Sequence, residues 1–431
     1  MKHFGTDGIR CKENIFTEEY LTRISEGIAR LPRCEKVIIG RDPRESGLRI
    51  EKTMAKVLSD CGKTVLIAGM VPTPVLAFLT KKHGCDYGIM LSASHNPPEY
   101  NGVKLFSAEG NKVSEEIELE VEDYIDGEEK AEYVGDGKIE KVCDGGKEYI
   151  DYLMKKVNPV RLKGVKIALD AANGATSVIA PEIFREAGAE VDAYFTDTDG
   201  KEINKDCGAT VPGTLLKIME KGGYDIGFTY DGDGDRVMCV QGGKIYNGDH
   251  LMYVHCKDMK ARGKLVDDTM VGTIMSNLGT EAACKKAGIN LVRTAVGDKC
   301  VFREMEKHGY NVGGEESGHM IFTDYMPTGD GILASLLTAE LNEVTPLNVA
   351  DDIKEYPSVS DCVICDKAAV NKFRTDAEIK NYIDNIDKEY RTVIRPSGTE
   401  PKIRILVEAE SMEKARKKCA EIKKFIEEKV L

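Results

Sequence analysis

The chain has 431 residues, 42% hydrophobic and 31% charged, with a formal net charge of −13 and a pI near 5.3. That length corresponds to about three domains, and the apolar content can build several cores. The acidic balance argues against nucleic acid or an anionic membrane as a partner, so any phosphate must be held by a few local cations. The 13 cysteines are odd in number and scattered. They suit reduced thiols in a reducing compartment, not a disulfide framework. The opening Met1-Lys2-His3-Phe4-Gly5 has no apolar signal core. No uncharged apolar run is long enough to cross a membrane.

In chain order, Val37-Ile38-Ile39-Gly40 reads as a strand that leads through a helical stretch to Cys61-Gly62-Lys63-Thr64-Val65. Gly62-Lys63-Thr64 mimics the end of a P-loop, but Val57 stands where its first glycine is needed. Tyr87-Gly88-Ile89-Met90-Leu91 is strand-like and delivers Ser92-Ala93-Ser94-His95-Asn96-Pro97 to a loop at the sheet's edge. Residues 115–122 alternate carboxylates with apolar side chains and read as the solvated face of a surface element. Residues 166–170 lead to 187–191, and 270–273 to 287–291, by the same path of strand, loop, helix, glycine stop and next strand. Glycine just past a helix is a common terminator. Such alternation implies layered α/β units with largely parallel strands. Cys362-Val363-Ile364-Cys365 is a lone C-x-x-C in a strand-like run whose thiols face opposite ways, so it reads as structural and not as a zinc site. Residues 391–410 carry strand-like runs and 411–431 an amphipathic helix. The expected fold class is α/β: three tandem similar α/β domains with mixed sheets plus a small α+β C-terminal domain. The boundaries fall near 150, 250 and 350, giving segments 1–150, 151–250, 251–350 and 351–431.

Chemistry concentrates in four loops. In Asp231-Gly232-Asp233-Gly234-Asp235-Arg236, glycine removes the bulk that would keep three carboxylates from one point. The result is a cage of hard oxygen ligands suited to Mg²⁺. An EF-hand reading needs Gly and Glu at its sixth and twelfth places, which hold Arg236 and Gly242. A plain Asp-Gly turn has no need of converging carboxylates. An arginine beside a divalent cation points to a shared anion such as phosphate. In the second loop, Ser94 beside His95 suggests a nucleophile, and no Gly-x-Ser-x-Gly elbow supports acyl transfer. Lys104 can reach the same mouth, although taken alone it reads as a solvated charge. Gly313-Gly314-Glu315-Glu316-Ser317-Gly318-His319 is a pliable loop bearing groups that hold hydroxyls or move protons. Arg395-Pro396-Ser397-Gly398-Thr399-Glu400-Pro401 is a plausible anion nest.

Taken in order with Phe4-Gly5-Thr6-Asp7-Gly8-Ile9-Arg10, these loops resemble the α-D-phosphohexomutase superfamily over nearly the whole chain. Gly40-Arg41-Asp42-Pro43-Arg44-Glu45-Ser46-Gly47, Thr294-Ala295-Val296-Gly297-Asp298 and Glu315-Glu316-Ser317-Gly318-His319 resemble its phosphoglucosamine mutase branch. Cys11, Pro98 and Glu316 depart from the usual pattern. The resemblance implies that Ser94 is a phosphoserine that completes the Mg²⁺ shell with Asp231, Asp233 and Asp235. It implies that Arg236 offsets phosphoryl charge, that Glu315, Ser317 and Arg10 hold the sugar, and that Arg395, Ser397, Gly398 and Thr399 hold the distal phosphate. Lys104, His319 and His95 remain open as the proton carrier. The implied reaction converts glucosamine 6-phosphate to glucosamine 1-phosphate through a bisphosphorylated sugar, with glucosamine or glucose 1,6-bisphosphate as activator. A cytoplasmic enzyme acting on a small sugar phosphate follows, with a homodimer left open. A phosphomannomutase/phosphoglucomutase is the alternative. A Mg²⁺-dependent phosphatase or kinase fits the separate distal loop poorly. A non-catalytic binder has no use for an intact Ser94, three aspartates and Arg236.

Overall fold

The computed structural model describes residues 2–157, 159, 161–397 and 401–431. Its first sheet has seven strands: β1 (Phe4–Gly5), β2 (Gly8–Lys12), β3 (Lys36–Arg41), β4 (Thr64–Met70), β5 (Tyr87–Leu91), β6 (Tyr100–Ser107) and β7 (Lys138–Lys141), in the order β1-β2-β6-β5-β3-β4-β7. Helices α1 (Glu18–Ala29), α2 (Gly47–Asp60), α3 (Thr73–Lys82) and α4 (Glu115–Asp126) accompany it. Val37, Ile38 and Ile39 are all fully buried. A central strand covered on both faces needs such a continuous apolar run.

After α5 (Gly145–Val157), the second sheet holds β8 (Lys166–Asp170), β9 (Glu190–Tyr194), β10 (Ile226–Tyr230), β11 (Val237–Gln241) and β12 (Lys244–Tyr246), with α6 (Thr176–Glu186) and α7 (Gly213–Gly222). The third has β13 (Thr269–Thr273), β14 (Asn290–Thr294), β15 (Val312–Gly314) and β16 (Met320–Phe322), with α8 (Gly248–Ala261), α9 (Leu278–Lys286), α10 (Asp298–His308) and α11 (Gly331–Asn342). The last is an antiparallel sheet of β17 (Ser358–Ile364), β18 (Arg391–Pro396) and β19 (Lys402–Glu408), ordered β17-β19-β18. It carries α12 (Lys367–Thr375), α13 (Ala377–Asp384) and α14 (Met412–Val430).

One topology recurs three times. The orders β6-β5-β3-β4, β11-β10-β8-β9 and β16-β15-β13-β14 are the same path. In each, a parallel pair is joined by a helix ending near a left-handed glycine: Gly62 (φ 83°), Gly188 (φ 93°) and Gly288 (φ 68°). The first two strands of each path are antiparallel, and so are β18 and β19. All four chemical loops are the connections of these antiparallel pairs. Three mixed α/β layers and a small α+β unit are therefore the architecture.

Two expectations need correction. Residues 115–122 are the start of helix α4, and Glu118 and Glu122 are buried rather than solvated. Glu118 pairs with Lys299, and Glu122 accepts the backbone N–H groups of Lys2, His3 and Phe4. Carboxylates four apart share one helix face, so each meets a donor that lies far away in sequence. Lys104, likewise, is 1% exposed and not a solvated charge. It sits in mid-strand on β6 and points at three carboxylates.

Candidate active site

The Ser94 loop follows β5 and meets the aspartate loop that follows β10. Ser94 is fully buried with φ 52°, and its Oγ donates to Asp231 Oδ2 at 2.6 Å. His95 Nδ1 is 3.4 Å from the same Oγ. The aspartate loop turns back at Gly234 (φ 73°), whose N–H donates to Asp231 O at 3.1 Å. Ligand oxygens of Asp231, Asp233 and Asp235 all lie within 4.8 Å of one another. Asp233 Oδ1 and Asp235 Oδ1 are buried and make no hydrogen bond among the described residues. Buried carboxylate oxygens left without donors are costly, and a hard divalent cation is the partner this oxygen set suits. The residues present therefore fit a metal ion.

Cations already surround the cage. Lys104 Nζ lies 2.7 Å from Asp233 Oδ2, 3.0 Å from Asp7 Oδ2 and 3.3 Å from Asp235 Oδ2. Burial opposes its charge, but these carboxylates outweigh burial and raise its pKa. Arg236 Nε is 3.8 Å from Asp235 Oδ1 and 3.9 Å from Asp231 Oδ2. Burial pushes Asp231 up to about 8, helped by repulsion from Asp235 and Asp233. Asp235 is buried too, yet Lys104 and His319 hold its carboxyl well below the usual range. One oxyanion of the trio is thus favoured over another by where the cations stand.

The third α/β layer closes the ring. His319 Nδ1 is 3.7 Å from Asp235 Oδ2, and its Nε2 is 3.7 Å from Asp298 Oδ2. Burial resists its protonation, but Asp235 and Asp298 raise its pKa. His95 is driven the other way, to about 4, by burial and by Arg236 and Arg10. His319 bridges to Arg236, and Val237 N donates to Gly318 O at 3.1 Å. Gly318 (φ 91°) allows this approach, since a Cβ there would lie 2.3 Å from Val237 O. Glu315 Oε1 accepts from Gly297 N at 3.1 Å, and Ser317 Oγ is buried without a partner among the described residues. Glu316 turns elsewhere. It lies among Asp249, Glu408 and Glu355, and burial followed by these charges lifts it to about 7.

Arg10 pairs with Asp7 and lies 3.5 Å from Asn96 Oδ1. Arg395 is half-buried on β18 opposite Arg404, and Ser397 N donates to Lys402 O at 2.8 Å. Gly398 and Thr399 lie outside the described residues. Sequence reasoning assigned no role to four residues that complete the ring. Thr73 donates to Asp233 Oδ2 at 2.5 Å, and Lys112 pairs with both Asp7 and Asp298. Asp7 and Asp298 carried a signal only as members of longer motifs. Thr73 and Lys112 carried none.

Four domain families match in order: phosphoglucomutase/phosphomannomutase alpha/beta/alpha domain I over residues 1–132, domain II over 147–244, domain III over 247–358 and the C-terminal domain over 363–425. A phosphoglucosamine mutase of Clostridioides difficile is 40% identical over 447 residues, covering 100% of this chain and 99% of that protein. A phosphoglucomutase/phosphomannomutase family protein from Burkholderia thailandensis superposes with TM-score 0.82 at 22% identity, covering 100% and 98% of the two chains. The N-acetylphosphoglucosamine mutase of Aspergillus fumigatus, solved with GlcNAc-6P and magnesium, superposes with TM-score 0.73 at 17% identity, covering 100% and 96%. With all four domains matched in order and a relative of this identity along its full length, the chain belongs to the phosphoglucomutase/phosphomannomutase family, in its phosphoglucosamine mutase branch.

Proposed function

We propose that this protein is a mutase that interconverts glucosamine 6-phosphate and glucosamine 1-phosphate through a phosphoserine at Ser94. The observation that carries the reading is the Ser94 Oγ donated to Asp231 at 2.6 Å, at the edge of a three-carboxylate cage. Asp231, Asp233 and Asp235, with the phosphate on Ser94, would hold Mg²⁺. When bound, that ion offsets negative charge on the phosphoryl being moved. Arg236 stands where it adds to the same effect.

In the forward half-reaction, a free hydroxyl of the sugar phosphate attacks the Ser94 phosphorus. The new O–P bond forms as the Ser94 Oγ–P bond breaks. The hydroxyl's proton leaves to a nearby base and Ser94 Oγ is protonated. The bisphosphorylated sugar then turns over, and its other phosphoryl returns to Ser94 with the proton movements reversed. Lys104, His319 and His95 ring the site and are the groups available to carry the proton. Arg395, with the loop that follows it, would hold whichever phosphate is not moving. Glu315 and Ser317 would hold sugar hydroxyls near the turning axis, which suits both orientations. Arg10 would add a cation beside the seryl loop. Glucosamine or glucose 1,6-bisphosphate would first charge Ser94.

The amino-sugar preference rests on the phosphoglucosamine mutase relatives and on Glu315, a carboxylate that favours an ammonium over a hydroxyl. Side-by-side kcat/KM values on glucosamine, glucose and mannose phosphates test it. Glucosamine phosphate is expected to lead, and Glu315→Gln to narrow the gap. Equal or better use of mannose 1-phosphate moves the assignment to a phosphomannomutase/phosphoglucomutase. Peptide mapping tests the chemistry, with one phosphoryl group expected on Ser94 and near-normal turnover of Ser94→Ala as the contrary result.

A further inference from the structure

Arg44 is the largest of the fully buried side chains, and both of its terminal nitrogens donate to carbonyls between Ser94 and Tyr100. Nη2 donates to Ser94 O at 3.0 Å and Asn96 O at 2.8 Å. Nη1 donates to Tyr100 O at 2.9 Å and to Pro97 O. Nε donates to Asp42 Oδ2 at 3.0 Å. Asp42 Oδ2 also accepts from Ser92 Oγ at 2.7 Å, and Ser92 Oγ accepts from the Ser94 N–H at 2.8 Å. A closed ring therefore begins on the amide of Ser94, runs through Ser92, Asp42 and Arg44, and returns to its carbonyl.

The second domain grips the same two carbonyls. Asn204 Nδ2 donates to Ser94 O at 2.9 Å and to Asn96 O at 3.1 Å. Gly200, at φ 84°, lets the Asn204 loop lie on Pro43, where a Cβ would sit 2.3 Å from Pro43 O. Gly232 of the aspartate loop also approaches closely, since a Cβ there would lie 2.7 Å from Ser94 O.

Ser94 needs such holding. Its φ of 52° is in the left-handed region, which side chains other than those of glycine, asparagine and aspartate seldom occupy. Fixing the peptide groups on both sides of its Cα fixes the direction of Cβ, and hence where Oγ points. The buried guanidinium is already paired with Asp42, so it adds little net charge toward a phosphoryl group. Its contribution is geometric.

We propose that Arg44 and Asn204 form a two-domain clamp of positioning residues that hold Ser94 in its left-handed conformation, so that Oγ addresses both the aspartate cage and the incoming sugar. The proposal rests on the phosphoserine reading above. A residue that positions without touching substrate lowers kcat and leaves KM.

The test uses the full-length, Mg²⁺-loaded protein and two variants, Arg44→Lys and Asn204→Ala. Arg44→Lys keeps the charge but loses the fork that spans four carbonyls. Asn204 is half-buried, so its replacement leaves the folded core in place. Phosphorylation of Ser94 by glucose 1,6-bisphosphate is followed in a rapid quench by phosphopeptide mass, beside steady-state kcat and KM. A misplaced nucleophile loses up to about 10²-fold in rate. Arg44→Lys is expected to approach that loss and Asn204→Ala to lose about ten-fold, with KM for the sugar phosphate within about two-fold. If Arg44→Lys fails to fold, as circular dichroism and melting would report, Asn204→Ala alone decides. A folded Asn204→Ala that phosphorylates Ser94 at the parent rate, or that loses through KM, overturns the clamp. A parent protein that takes no phosphoryl group on Ser94 overturns the phosphoserine reading itself, so the two failures are distinct.

Discussion

Lys104 Nζ lies 2.7 Å from Asp233 Oδ2, within the ring of carboxylates that a metal ion would share. Asp7, Asp233 and Asp235 are all in reach of this one ammonium, and the lysine is 1% exposed. A buried cluster of carboxylates cannot stay ionised without compensating charge. Lys104 supplies part of that charge whether or not Mg²⁺ is bound.

Replacing Lys104 by methionine removes the ammonium and leaves the carboxylates without it. Breaking a buried ion pair by deleting one partner costs about 3–5 kcal/mol. That loss is expected in metal-free protein, read by urea denaturation at neutral pH. Added Mg²⁺ should recover more stability in the variant than in the parent, because the ion then replaces the missing charge. Identical Mg²⁺ responses of the two proteins would place the metal away from Lys104.

Asp233 contributes Oδ1 as a buried oxygen with no donor among the described residues, while Thr73 and Lys104 occupy its Oδ2. Asp233→Asn should therefore raise the Mg²⁺ concentration needed for half-maximal activity and slow phosphoryl transfer sharply. Titration of activity against Mg²⁺ in chelator-treated protein measures both effects. Full activity of the parent in excess chelator is the contrary result.

Arg395 is in a different domain from the cage, on the β18 hairpin. Charge-assisted hydrogen bonds are worth about 1.5–3 kcal/mol each, so losing one weakens binding by roughly ten- to over a hundred-fold. Arg395→Ala should raise KM for the sugar phosphate on that scale and leave Mg²⁺ affinity nearly unchanged. Isothermal titration with each ligand separates the two. Lost metal binding with retained substrate binding would move the phosphate site away from this loop.

Glu316 gives a pH signature. Burial, and then Asp249, Glu408, Glu355 and Glu315, lift it to about 7 from 4.5. In the unfolded chain the carboxyl ionises near its ordinary value, so between the two values the folded protein binds more protons. Stability therefore falls as pH rises from about 4.5 to about 7, and the penalty is fully present above that. Glu316→Gln should remove it, raising stability at pH 8 by roughly 1–2 kcal/mol after allowance for partial exposure, with little change at pH 4.5. Melting curves across that range are the measurement. Equal gains at both ends would assign the effect to packing.

Much of the site was legible in the order of residues because its groups are contiguous. Asp231, Asp233 and Asp235 sit in one six-residue run whose glycines permit convergence, and Ser94 and His95 are neighbours. The strand–helix–glycine period announced the three α/β layers, since Gly62, Gly188 and Gly288 are needed where φ turns positive. What lies between elements was hidden. Alternation at residues 115–122 did not reveal that Glu118 and Glu122 turn inward, because only folding brings Lys299 and the N-terminal amides to them. Lys112, Thr73 and Asn204 looked like any polar residues, and Lys104, although near the Ser94 loop, read on its own as a solvated charge. Each acquires its part by contacting a loop from another domain: Asp233 for Lys104 and Thr73, Asp298 for Lys112, and the Ser94 carbonyl for Asn204. Local sequence determines which loops can bind phosphate and metal, through side-chain chemistry and glycine freedom that need no distant partner. The tertiary structure alone decided which charges neutralise which and how Ser94 is aimed, because those depend on burial and on distances of a few ångströms between chain segments far apart in sequence.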